Sequence, residues 1–90
     1  MVYMYLKEKT DDFILYEYYP EHDKNKTPGE ICIDVKAQSI KITKSAEADI
    51  ERYSLEFDDC WWWYGDHAVC RIIEDYNNGE INDVSMAAWY

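Results

Sequence analysis

The hydrophobic period changes once along this chain of 90 residues, and that change limits the folds open to it. From Val2 to Lys44 apolar residues recur mainly at every second position. From Trp61 to Asn78 they recur at helical spacing. Period two marks strands that bury one face, and a period near 3.6 marks a helix that buries a stripe. The spacing therefore predicts an α+β domain. An antiparallel sheet of about five strands, in the order β-β-β-β-[β]-α-β, packs against one α-helix in the C-terminal half. The length suits a single domain, 1–90.

Val2, Met4 and Leu6 alternate with Tyr3, Tyr5 and Lys7, which makes the first strand one-sided. Phe13 to Tyr19 is apolar on both sides and rich in residues that favour strands, so it belongs in the middle of the sheet. Glu30 to Lys36 and Ile40 to Lys44 are joined by the short polar turn Ala37-Gln38-Ser39 and read as a hairpin. In it Asp34 and Lys36 are placed to face Lys41. Pro20 to Gly29 holds both prolines and is expected to be a mobile surface loop. Ser45 to Arg52 fits a helical turn capped by Ser45, but the reading preferred for 45–57 is a loop or short turn leading into a short strand at Tyr53–Phe57. Val84 to Tyr90 alternates again and supplies the last strand.

The helix is expected to start behind the caps Asp58 and Asp59 and to stop at Gly79. At 100° per residue, Trp61, Trp62, Gly65, Ala68, Val69, Ile72, Ile73 and Tyr76 fall within roughly 120° of arc and form its core face. Trp63, Asp66, His67, Cys70, Glu74 and Asn77 point the other way, with Arg71 at the border. A large aromatic ring flanked by charge is characteristic of contact surfaces. Trp63, Asp66, His67, Cys70, Arg71 and Glu74 are accordingly the candidate interaction surface. The competing reading is that Trp63 is covered by residues 45–57 or by the last strand.

Charge narrows the partners. The net charge is −10. Residues 1–44 hold seven lysines against eight acids, a balance of −1, while residues 45–90 hold two arginines against eleven acids, a balance of −9. Phosphates and anionic membranes are repelled by such a surface, so neither nucleic acid nor membrane is expected as a partner. A basic protein is attracted by it. No apolar run approaches the roughly 20 residues of a membrane span. Cys32, Cys60 and Cys70 are odd in number, and Met1 to Lys9 has no leader pattern, which predicts free thiols in the cytoplasm.

Phe13 to Pro20, Pro28-Gly29-Glu30 leading into Ile31-Cys32-Ile33-Asp34, His67-Ala68 and the closing Ala88-Trp89-Tyr90 together resemble a group of small uncharacterised bacterial proteins. The resemblance implies a cytosolic bacterial protein and brings no activity with it.

No motif for catalysis rises above this background. Cys60, His67 and Cys70 lack the paired spacing that zinc ligands commonly show. Cys70 and His67 share a helix, but a helix interior provides no oxyanion hole. The paired acids fit caps and solvated faces better than acid–base work. The preferred expectation is a non-enzymatic, acidic interaction domain with no cofactor, docking a protein partner or a second copy of itself. Three forms are open: a homodimer through Trp63, an inhibitor of a basic enzyme, and a mimic of nucleic acid. The rival is a small metal- or thiol-dependent protein centred on His67 and Cys70.

Overall fold

The structure, a computed structural model, describes residues 1–52 and 63–88, with backbone only for Glu51, Arg52 and Trp63. Alternation in the first half produces four strands, β1 (Val2–Lys9), β2 (Phe13–Pro20), β3 (Gly29–Asp34) and β4 (Ser39–Lys44). Two helices follow, α1 (Glu47–Arg52) and α2 (Trp63–Asn77), and then β5 (Val84–Ala87). The sheet order is β4-β3-β2-β1-β5 with every neighbouring pair antiparallel. The expected α+β class therefore holds, and β2 is the central strand.

One face of the sheet carries the core. Val2, Met4, Ile14, Tyr16, Tyr18, Ile31 and Ile33 are buried there with Ala46, Ala68 and Ile72 from the helical side. Ile40 and Ile42 extend the same face onto β4, half-buried. Full burial of each larger aliphatic side chain is worth about 1.5–3 kcal/mol, so this face supplies the main driving force.

Several expectations are corrected. Residues 47–52 form a helix, not the preferred loop. Outside groups anchor its start: Glu47 N–H donates to the Thr27 carbonyl at 3.0 Å, and just before the helix Ala46 N–H donates to the Tyr18 hydroxyl at 2.9 Å. The buried stripe of α2 is Gly65, Ala68, Ile72 and Asp75, while Ile73 is 38% exposed. The helix is thus rolled so that Asp75 is buried, and its carboxylate finds partners at the edge of the buried face. It accepts from Arg71 Nε at 3.4 Å and from the Ser85 hydroxyl on β5 at 3.3 Å. Cys32, not Asp34 or Lys36, stands opposite Lys41. Lys36 pairs instead with Asp12 at 3.0 Å.

Gly79 ends α2 as expected, with φ +78°. Its amide donates to Tyr76 O at 2.9 Å and Glu80 N–H to Asp75 O at 2.8 Å, the two bonds of a Schellman stop. The expected strand at Tyr53–Phe57, the caps Asp58 and Asp59, Cys60, the core pair Trp61 and Trp62, the side chain of Trp63, and Trp89-Tyr90 lie outside the described residues.

Candidate functional site

The two faces of the sheet are built from the same strands and differ in what meets them. On the inner face β2 sends Tyr18 across Gly29, its partner on β3. A Cβ at Gly29 would lie 2.1 Å from the Tyr18 ring, so only glycine lets that ring pass. The phenol then reaches the fully buried Asp49 and donates to its Oδ2 at 2.9 Å. The same carboxylate accepts the amides of Tyr64, at 3.0 Å, and Gly65, at 3.1 Å. Asp49 of α1 is therefore the cap of α2, supplied from another helix. Its negative charge meets the positive end of the α2 dipole. Burial, and beyond it the Asp49 charge, pushes the Tyr18 phenol well above its usual range. This network is satisfied within itself, and its chemistry is structural.

The candidate surface on α2 is only partly assembled. Trp63 opens the helix, and its side chain lies outside the described residues. Cys70 and Glu74 are exposed one turn apart, while Asp66 and His67 are half-buried. Arg71 turns away from this row and forms an ion pair with Asp75 at 3.2 Å. Among the described residues no group of three or more His, Cys, Asp or Glu side chains is placed to hold a metal ion. Cys32 and Cys70 are free thiols.

The outer face of the sheet holds a denser cluster that the sequence reading passed over. Register puts Met86, Tyr3 and Tyr19 in one row, and Val84, Tyr5, Glu17 and Glu30 in the next. All these residues are half-buried or exposed, with Val84 at 52%. The described parts of both helices lie on the other side. The loop from Pro20 folds back over this face. Glu21 and His22 take φ of +52° and +58°, a conformation that costs a non-glycine residue about 1–2 kcal/mol.

Contacts of the displaced loop offset that strain. His22 stacks on Tyr3 with ring centres 4.1 Å apart, and its Nε2 lies 2.5 Å from the Tyr5 hydroxyl. Glu21 accepts from the N-terminal amine at 3.1 Å and from the Tyr64 hydroxyl at 2.9 Å. Those two bonds, the amine's first, hold the Glu21 carboxyl below its usual range. Farther along, Thr27 N–H donates to the Glu47 carboxylate at 2.8 Å. The loop expected to be mobile is thus fastened at both ends.

Tyr5 and Tyr19 meet edge to face, 5.6 Å apart and at 87°. The ammonium of Lys24, from the loop, sits 4.2 Å from the Tyr5 ring centre and 5.5 Å from that of Tyr19. The Tyr19 hydroxyl donates to Glu17 at 3.3 Å. Burial and the Glu17 charge raise the Tyr19 phenol above its ordinary range. Lys7 bridges Glu17 at 3.7 Å and Glu30 at 3.4 Å, and the Glu30 bond raises its ammonium.

The sequence signal for this surface was present. Tyr3 and Tyr5 alternate outward on β1, and β2 is apolar on both sides. The outward positions of these strands therefore form a second face, apart from the one the described helices cover.

Compared with known proteins, the chain matches no family model, no curated protein and no solved structure. Among the described residues no helix is long and apolar enough to cross a membrane.

Proposed function

We propose that this chain is a small acidic, non-enzymatic interaction domain that docks a basic protein partner. The observation that carries the reading is the outer sheet face: three tyrosines, His22 and the exposed Val84 and Met86, presented by a chain of net charge −10. Tyrosine-rich surfaces give large contact area with little loss of side-chain freedom. The charge attracts a basic partner and speeds its approach. It also opposes self-association, since each copy brings the same −10. The exposed Cys70–Glu74 row on α2, with the Trp63 end of that helix, is a second contact surface in this reading. Free cysteines fit a cytoplasmic setting.

The test is a titration of the purified chain with a lysine-serine peptide, and with the matching glutamate-serine peptide, across ionic strengths. Saturable binding of the basic peptide alone, weakening as salt rises, supports the reading. Absence of binding at low salt sinks it. Light scattering on the same sample distinguishes a homo-oligomer. Stoichiometric zinc on elemental analysis would favour the metal-dependent rival.

A further inference from the structure

Lys24 is set apart by where its ammonium rests. Like Lys9, Lys41 and Lys44, it has no carboxylate within ion-pair distance among the described residues. It rests instead in the right-angled corner made by Tyr5 and Tyr19. Ring faces attract cations through their negative quadrupole. The corner is held in shape from below and from the side. Glu17 accepts the Tyr19 hydroxyl, and His22 fixes the Tyr5 hydroxyl while lying nearly parallel to that ring, at 18°. The two left-handed residues Glu21 and His22 bring the loop to this position. Backbone strain of this kind persists only where surrounding contacts over-determine it.

We propose that the Tyr5–Tyr19 corner, backed by Glu17, is a recognition site for a lysine ammonium in an extended segment of the basic partner. Lys24 is then its intramolecular occupant and gives way on binding. The proposal rests on the docking reading above and adds to it a residue type and a place. Three features select this occupant. The corner already holds an ammonium, so its dimensions suit one. Glu17, opposite Tyr5 and bonded to the Tyr19 hydroxyl, places a carboxylate beside the corner. Lys24 is exposed on a surface loop, so it can leave without opening the core. A tethered occupant lowers the apparent affinity by the fraction of corners it fills.

The experiment combines peptide titration with NMR of lysine side chains. In the free protein the Lys24 ε-methylene resonance is expected upfield, shifted by the rings. Adding the lysine-serine peptide moves it to the random-coil position. Lys24→Met is expected to bind the peptide roughly two- to fivefold more tightly, the worth of an exposed cation–π contact. Lys9→Met removes the same charge away from the rings and controls for electrostatics. Tyr5→Leu is expected to weaken binding several-fold, and Tyr5→Phe, which keeps the ring, to stay within about twofold of the parent.

A Lys24→Met protein that behaves like Lys9→Met overturns the proposal. So does peptide binding that leaves the Lys24 resonance unmoved, even if Tyr5→Leu fails to fold. Binding that is unchanged in folded Tyr5→Leu removes the corner but leaves the docking domain standing. No binding by either the parent or Lys24→Met removes both.

Discussion

Tyr18 and Tyr19 are neighbours on β2, and they work in opposite ways. Tyr18 faces inward, is fully buried, and spends its hydroxyl on Asp49 and the Ala46 amide. Tyr19 faces outward, is half-buried, and shares its ring with Tyr5 and Lys24. The inner face is closed: among the described residues each buried polar side chain has a partner, and the helices are anchored through it. The outer face is held together by ring contacts and exchangeable charges, which are individually weak. The difference teaches where stability and recognition reside. Substitutions on the inner face should cost folding energy, and those on the outer face should cost binding.

The largest effect is expected from Asp49→Ala. It strands the Tyr18 hydroxyl and the Tyr64 and Gly65 amides at once. Each buried polar group left unpaired costs about 1–3 kcal/mol, so a combined loss of about 3–5 kcal/mol is expected in urea unfolding. A loss below about 1 kcal/mol would show that water replaces the carboxylate and that the inner face is not closed.

Gly29→Ala comes next, at about 2–4 kcal/mol, because the added Cβ overlaps the Tyr18 ring. The same substitution in a Tyr18→Leu background should cost less than about 1 kcal/mol, since the ring it collides with is gone. Equal costs in the two backgrounds would mean that Gly29 matters for some other reason.

These two residues also mark the limit of what the sequence makes legible. The β3–β4 hairpin, the central place of β2, the α2 stop at Gly79 and the α+β class follow from local pattern: alternation, helical period and a C-terminal glycine. Asp49 and Gly29 could not be recognised in this way. Their roles depend on Tyr18 reaching across the sheet, a contact between residues 31 apart that no local period encodes. Asp75 misled the helical-wheel reading for the same reason. A wheel sorts by polarity, whereas this carboxylate is buried beside Arg71 and Ser85. On the outer face the tyrosines were visible as alternate positions. Their meeting with His22 and Lys24 was not, since it requires two non-glycine residues at positive φ.

Titration separates the faces at a smaller scale. Tyr16 and Tyr18, both inward, are raised above 10, Tyr16 mainly by burial and then by Asp75. A phenol whose folded value is raised stabilises fully below its unfolded value and is lost as pH rises through the folded one. Stability should therefore fall as pH climbs above about 10, and Tyr18→Phe should flatten that fall. Glu21, on the outer side, is lowered, so its contribution is present above about 4.5 and lost as pH drops below it. Glu21 is largely solvated, and its share should be below about 1 kcal/mol. Urea midpoints across pH for Glu21→Gln and Tyr18→Phe check both arms. A Glu21→Gln protein with an unchanged acid arm would remove the N-terminal clasp from this account.

The smallest effect is expected from His22→Gly, and it tests the outer face most directly. Glycine relieves a left-handed strain of about 1–2 kcal/mol at φ +58°. It gives up the stack on Tyr3, worth about 0.5–1.5 kcal/mol, and adds chain entropy of about 0.5–1 kcal/mol to the unfolded state, while water takes over the exposed contact with the Tyr5 hydroxyl at little net cost. These terms nearly cancel, so the midpoint should move by less than about 1 kcal/mol. The Lys24 resonance, however, should lose its upfield shift, because the loop is no longer held against β1. If His22 served only stability, the resonance would stay where it was. Unchanged folding with a released Lys24 is the outcome that assigns His22 to positioning the outer face.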